Sequence, residues 1–324
     1  MTVDASARRC AVVVATKDRR EVLERCLEAL SKQTERPLAV VVVDDGSAIP
    51  VSDWLDPAAY AFDLTILRHP TSLGPAAARN AGVGVVEDEF VVFVDDDVAP
   101  NPEFVAAHLT AVTTPTEDGR PAVSCGPFVE PPDWDPTPWN RWEADKAKKE
   151  ADRLESGAMD VSWRNFHTGN NCVPRSVFEA VGGFDSHFKR SEDDELGVRL
   201  HEAGCVFRYV AAAKAWHYSY RTLESWIAIP TAYARYEVEI DRAHPDEGYL
   251  RAKQDELGQR HPALRLARAV FDGPRRSRFG VRASIATGRL AYRLGLVRLA
   301  LGGFSVAYDL LYVRSMKQAV QDDT

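Results

Sequence analysis

The chain has 324 residues, 45% hydrophobic and 27% charged, the profile of a folded protein with room for roughly two domains or one large domain and an appendage. A net charge of −8 argues against a general nucleic-acid binder. No stretch approaches about 18 uninterrupted apolar residues, so no transmembrane helix is expected, and the apolar run after Arg8 and Arg9 is too brief for a signal sequence.

The five cysteines (Cys10, Cys26, Cys125, Cys172 and Cys205) show no C-x-x-C spacing and read as reduced, mostly buried thiols of a cytoplasmic protein. Cys10–Ala15 is a buried-strand pattern, followed by the polar turn Thr16-Lys17-Asp18-Arg19 and by Val22, Leu23, Cys26, Leu27 and Leu30 at helical spacing. After Pro37, Leu38–Val43 is a second buried strand that ends at Asp44-Asp45-Gly46-Ser47. Leu64–Leu67 is a third strand, and Gly74-Pro75 opens a helix through Arg79, Asn80 and Ala81. Phe90–Val94 is a buried strand that ends in three consecutive carboxylates, Asp95, Asp96 and Asp97.

Adjacent like charges repel, and a hard divalent cation shared with a substrate phosphate would resolve that conflict. A solvated acidic turn before a helix is the alternative, since Asn101-Pro102-Glu103 has the order of an N-cap, an N1 proline and a first-turn acid ahead of the helix Pro102–Val112. Strands alternating with helices predict a mostly parallel sheet covered by helices on both faces, with ligands at the carboxyl ends of the strands. Thr16, Asp45 and Asp95–Asp97 should therefore meet on one rim. No G-x-G-x-x-G follows the first strand and no G-x-x-x-x-G-K-[ST] occurs, which disfavours a dinucleotide dehydrogenase and a P-loop enzyme.

Pro121–Val129 starts a further strand. Pro127–Trp142, rich in proline and tryptophan, is a linker packed by its aromatics or a lid over the site. Trp142–Arg153 is a charged, solvated helix. Ser191 is placed to cap a helix with Asp194 as its partner three residues on, yet the run Glu192-Asp193-Asp194-Glu195 holds more acid than capping requires. A carboxylate there can serve as a general base if an acceptor hydroxyl lies within reach. Cys205–Val210 is a strand, and Ala215-Trp216-His217-Tyr218 brings a candidate metal-ligating histidine.

In this order the motifs resemble the family 2 glycosyltransferases of the GT-A fold, over roughly Cys10–Trp226. They are Asp44-Asp45-Gly46-Ser47; Gly74 to Gly82 around Arg79-Asn80; Phe93 to Asp97; Thr168-Gly169-Asn170-Asn171; Gly182-Gly183-Phe184-Asp185; Glu192-Asp193 with Leu196, Arg199 and Leu200; and His217. The resemblance implies an α/β fold: a mostly parallel, Rossmann-like central sheet flanked by helices, spanning 1–221, with a nucleotide-sugar half to about 125 and an acceptor half over 126–221. A mainly helical C-terminal extension, 222–324, would follow.

It further implies an inverting transferase that moves a sugar from a nucleoside-diphosphate donor to a glycan, small-molecule or lipid-linked acceptor, with Mn2+ or Mg2+. Ala15, Thr16 and Asp45 would line the nucleotide pocket, with Asp45 recognising the base, and Arg79 and Asn80 would brace it. Asp95 and Asp96 would face the ribose or a metal-bound water, Asp97 and His217 would ligate the metal, and Asp193 would be the catalytic base. The chain departs from the family pattern at Ala15-Thr16-Lys17-Asp18, where proline and asparagine are common, and in its extra Asp194, which leaves Asp194 as the alternative to Asp193 for the base.

Beyond Thr222 the pattern fades. Arg275, Arg276, Arg278, Arg282, Arg289, Arg293 and Arg298 alternate with leucines and valines up to Leu311, a basic amphipathic helix suited to packing or homodimerisation, or to peripheral contact with the inner face of a membrane. The competing functional classes are a sugar nucleotidyltransferase and a non-catalytic nucleotide-binding scaffold. The first lacks its usual glycine-rich basic signature here, and the second has no need of the Glu192-Asp193 cluster.

Overall fold

A computed structural model describes residues 9–36 and 38–322; Arg8 and Pro37 lie outside the described residues. The chain divides into two compact units. One runs to Trp134 and resumes over Ala147–Tyr218; the other joins Asp135–Lys146 to the chain from Ser219 onward.

The first unit contains β1 (Cys10–Thr16), α1 (Arg20–Leu30), β2 (Ala39–Asp44), β3 (Asp63–Arg68), α2 (Pro75–Val83), β4 (Phe90–Asp95), β5 (Val98–Pro100), α3 (Phe104–Thr113), β6 (Ala122–Cys125) and β7 (Phe128–Val129). The helix α4 (Pro138–Glu155) belongs to this unit from Ala147 on. Next come β8 (Asn170–Pro174), α5 (Arg175–Ala180), α6 (Glu192–Glu202), β9 (Val206–Tyr209) and β10 (Ala215–His217).

Seven strands form the main sheet in the order β3-β2-β1-β4-β8-β6-β9, and β5-β10-β7 form a small second sheet. In the main sheet only β8 runs antiparallel to its neighbours, so the sheet is mostly parallel. Uninterrupted runs such as Val12-Val13-Val14 and Val91-Val92-Phe93 are buried on both faces, as a helix-covered parallel sheet requires. The strand order reverses between β1 and β4, and this is where such sheets open a crevice at their carboxyl ends. Register places Ala15 beside both Val43 and Asp95, and Thr16 beside Asp44.

Three local expectations are corrected. The strand expected over Pro121–Val129 is split at Gly126-Pro127 into β6 and β7, which lie in different sheets. Asn101 does not cap α3. The helix begins at Phe104, and its cap comes from Gln33, whose Oε1 accepts from the Val105 N–H at 3.0 Å while its Nε2 donates to Asn101 O at 2.7 Å. The helix around Trp142 is not wholly solvated: α4 starts at Pro138, and Trp142 is buried. All five cysteines are free and buried.

The second unit holds the first turns of α4 together with α7 (Leu223–Ala243), α8 (Tyr249–Gln259), α9 (Pro262–Val270), α10 (Pro274–Arg293) and α11 (Val297–Gln321). Its core is aromatic. Trp226 meets Trp142 and Phe304 edge-on, at ring centroids 5.4 and 5.5 Å apart. Two buried acids are paired as burial demands: Asp309 with Arg260 and Arg268 at 2.6 and 3.1 Å, and Glu237 with the Tyr312 hydroxyl and Lys253. The basic C-terminal segment is a hairpin and not one helix. Gly295, at φ +73°, turns the chain between α10 and α11 in a conformation that side chains other than glycine seldom adopt. Among the described residues no helix is long and apolar enough to cross a membrane.

Candidate active site

The candidate site at the carboxyl ends of β1 and β4 is built by the loops that leave those strands. At the end of β4 three carboxylates project together, Asp95 held by one arginine and Asp96 and Asp97 sharing another. Asp95 accepts from Arg79 Nη2 at 2.8 Å. Asp96 accepts from the Thr16 hydroxyl at 2.7 Å and from Arg19 Nη1 at 2.6 Å. Asp97 accepts from Arg19 Nη2 at 2.7 Å and lies 3.5 Å from His217 Nε2.

Burial pushes the Asp96 carboxyl up to about 7 against the opposing pull of Arg19. Burial would also raise Asp97, but the charges of His217 and Arg19 hold it well below the usual carboxylate range. Arg19 was not singled out from the sequence, because it reads as part of a polar turn. Its fork bridges two members of the triad, and only the placement of that turn against β4 reveals it.

Arg79, on α2, links the triad to the acidic start of α6. Its Nη1 donates to Glu192 at 2.7 Å while Nη2 holds Asp95, and the guanidinium lies over the Phe184 ring at 5.6 Å. Asn80 beside it is structural. It exchanges two hydrogen bonds with the Phe184 backbone, at 2.8 and 2.9 Å, and so fixes the Gly182-to-Asp185 turn.

Asp193 neighbours Glu192 on the first turn of α6. One oxygen accepts from the Thr168 N–H at 3.3 Å and the other from the Asp194 N–H at 3.0 Å. Burial, then the charges of Asp194 and Glu192, push its carboxyl up to about 7, with His167 and Arg79 acting the other way. Ser191 occupies the N-cap position but does not form the expected capping box with Asp194. Its backbone is left-handed at φ +58°, and its side chain makes no capping bond.

Strain at a non-glycine residue beside a buried carboxylate is the kind that surrounding structure must impose. The buried Ser191 and Thr168 hydroxyls and Asn171 Oδ1 have no hydrogen-bond partner among the described residues. The connecting loop passes Asp95 at Gly169 (φ +104°), where an added Cβ would sit 2.6 Å from Asp95 Oδ2. Arg79 thus ties the triad to Glu192, the neighbour of Asp193, and the Thr168-Gly169 loop touches Asp193 and passes close by Asp95.

Asp45 lies at the end of β2. Both its oxygens are engaged by the loop after β3: His69 Nδ1 at 2.8 Å, the Ser72 hydroxyl at 2.6 Å and the N–H groups of Leu73 and Gly74 at 2.8 and 2.9 Å. Burial opposes these hydrogen bonds, which nonetheless bring its carboxyl down to about 2. Asp44 holds the turn that follows β2 by accepting from the N–H groups of Ser47 and Val51, at 2.8 and 3.1 Å. Asp18 accepts from the Ala48 N–H at 2.7 Å, tying the loop that begins at Thr16 to that same turn. Ala15 and Thr16 end β1 between these two groups of carboxylates.

The geometry and topology are those of a GT-A glycosyltransferase-like α/β domain with acidic groups gathered at its switch point. The family model for Glycosyl transferase family 2 matches residues 11–180, and the chain belongs to that family. It is similar to the pre-mycofactocin glycosyltransferase of Mycobacterium tuberculosis, 32% identical over 243 residues, covering 75% of this chain and 49% of that protein. It is also similar to the N-acetylglucosaminyl-diphospho-decaprenol L-rhamnosyltransferase of the same organism, 28% identical over 248 residues, with 64% of this chain and 75% of the relative covered. The chain therefore spans about half the length of the first of these relatives. Among solved structures, the mannosyltransferase PcManGT of Pyrobaculum calidifontis, in complex with GDP-Man and Mn2+, superposes with a TM-score of 0.60 at 19% identity, over 97% of this chain and 88% of that one. At that identity the likeness speaks for the fold.

Proposed function

We propose that this chain transfers a sugar from a nucleoside-diphosphate sugar to an acceptor hydroxyl with inversion at the anomeric carbon, and that Asp193 is the general base. The observation that carries the reading is the Arg79 bridge, which ties Glu192, next to Asp193, to Asp95, the first acid of the β4 triad. A buried carboxylate raised to about 7 is well matched to accepting a proton near neutral pH. As Asp193 takes the proton, the acceptor oxygen bonds to the anomeric carbon. The bond from that carbon to the diphosphate oxygen breaks, and the nucleoside diphosphate leaves with the electron pair.

Ala15 and Thr16 line the nucleoside side of the pocket. Asp45 shapes it by holding the 69–74 loop, since its own oxygens are already engaged. Asp95 and Asp96 face the ribose or a metal-bound water. Asp97 and His217 form a carboxylate and imidazole pair suited to Mn2+ or Mg2+. Such a cation would neutralise the diphosphate as it leaves. Among the described residues no group of three or more His, Cys, Asp or Glu is arranged to hold a metal, so the donor diphosphate and water would complete the shell. The GDP-Man and Mn2+ complex of the mannosyltransferase supports this donor and cation class. The named acceptors of the relatives point to a glycan-like, small-molecule or lipid-linked hydroxyl.

The test is a panel of sugar nucleotides assayed by thermal shift and by release of nucleoside diphosphate, with Mn2+ and with a chelator. Asp193→Asn should lower turnover by about 10²–10⁴-fold while the donor-induced shift persists. Near-normal turnover by that variant would place the base elsewhere. Release of pyrophosphate in place of nucleoside diphosphate would mean nucleotidyl transfer.

A further inference from the structure

The α10–α11 hairpin carries a charge imbalance that the fold does not use. Between Asp272 and Asp309 the sequence holds seven arginines (Arg275, Arg276, Arg278, Arg282, Arg289, Arg293 and Arg298) and no acidic residue, in a chain whose net charge is −8. All seven are exposed. Arg278, Arg282, Arg289, Arg293 and Arg298 make no ion pair among the described residues. Helical periodicity sets Arg275, Arg278, Arg282, Arg289 and Arg293 along one stripe of α10, while Ser277, Gly280, Val281, Ile285, Gly288 and Ala291 form its buried side. The stripe runs along a helix about 30 Å long.

The hairpin's turn is apolar where a soluble turn is usually polar. Every residue from Arg293 to Leu299 is exposed. Leu290, Leu294, Leu296, Val297 and Leu299, with Phe279 further along α10, are each between 39% and 68% exposed. Scattered single hydrophobics on a surface are ordinary, but five aliphatic side chains gathered within ten residues are a patch that calls for a partner.

We propose that this hairpin is a membrane-surface anchor: its aliphatic turn enters the interfacial region of an anionic bilayer, and the arginine stripe lies against lipid phosphates. Charge complementarity selects the occupant. A two-fold contact with a second copy would set the same arginine stripe against itself. Lipid phosphates instead meet every guanidinium with an anion, and the acyl boundary takes up the leucines. The long arginine side chains allow the charges to stay at headgroup depth while the turn sits lower. The anchor does not depend on the glycosyltransferase reading, because none of its residues belongs to the catalytic crevice.

The experiment is co-sedimentation of the full chain with vesicles of phosphatidylcholine alone and with vesicles of equal parts phosphatidylcholine and phosphatidylglycerol, over a salt series. The expected result is binding to the anionic vesicles that weakens as salt rises, with little binding to phosphatidylcholine alone. Each arginine at the surface is worth about fivefold in partitioning, so the triple variant Arg289→Gln, Arg293→Gln, Arg298→Gln should bind on the order of 100-fold more weakly. A second variant, Leu294→Ser with Leu296→Ser, should lose the binding that survives at high salt. These side chains are all exposed, so both variants should keep the parent's circular dichroism and melting temperature. Parent protein that ignores anionic vesicles, or variants that bind as the parent does, would overturn the proposal. So would a parent dimer that the leucine variant converts to monomer without any change in vesicle binding, which would assign the turn to self-association.

Discussion

Arg79 offers the sharpest test of how the site is held together. Its side chain is 8% exposed and donates to two carboxylates, Asp95 at 2.8 Å and Glu192 at 2.7 Å. Replacing it with methionine keeps most of the volume but leaves Glu192, itself 11% exposed, without its cation. Removing one member of a buried pair typically costs about 3–5 kcal/mol, because the remaining charge stays desolvated. In a unit of this size, 1 kcal/mol moves the midpoint by about 2–4 °C, so Arg79→Met should melt roughly 6–20 °C below the parent.

Adding Glu192→Gln removes one stranded charge, and the double variant should recover about 1–3 kcal/mol relative to additivity. Arg79→Lys keeps the charge but not the fork, and should fall between parent and methionine variant. The assay is thermal and urea unfolding of the parent, Arg79→Met, Glu192→Gln and the double variant as a double-mutant cycle, with Arg79→Lys beside them and donor-induced shifts measured on each. If Arg79→Met costs under about 1 kcal/mol, or the cycle shows no coupling, the bridge does not organise the site.

Other outcomes follow from the same geometry. With Asp193 raised to about 7, turnover should climb as pH passes through that value and the carboxylate forms; a flat profile from pH 6 to 8 would detach the activity from this group. Asp45, held down at about 2, contributes stability that is present above the ordinary carboxylate range and lost as pH falls from about 4 towards 2. Asp45→Asn should therefore cost about 2 kcal/mol at pH 7, and the gap from the parent should close in acid. Gly169→Ala combines a positive φ with a Cβ 2.6 Å from Asp95 Oδ2, so it should depress both stability and donor binding, whereas Gly157→Ala, with open space around it, should bear only the backbone strain.

Much of the fold was legible because its signals are local. Buried strands written as unbroken valine runs, and helices with apolar residues at helical spacing, depend only on near neighbours, and β1, β2, β4 and α1 appear within a residue or two of their expected positions. The errors fall where a distant group intervenes. Gln33 caps α3 from 72 residues away, which Asn101-Pro102-Glu103 could not disclose. The β6–β7 break separates two strands that recruit different sheets, a choice made by pairing partners outside the segment.

Within the site, the sequence by itself determined which carboxylates stand at strand ends, because acids do not end buried runs for the sake of packing. It also determined that an acidic helix start would follow near residue 192. Only the tertiary structure decided how those charges are apportioned: Arg19 to Asp96 and Asp97, Arg79 to Asp95 and Glu192, and the 69–74 loop to Asp45. It also decided that the leucines of the arginine-rich tail would be displayed at a turn instead of buried. The physical reason is that hydrophobic periodicity acts over a few residues, whereas ion pairing and burial depend on which distant segments the sheet brings within a few ångströms of one another.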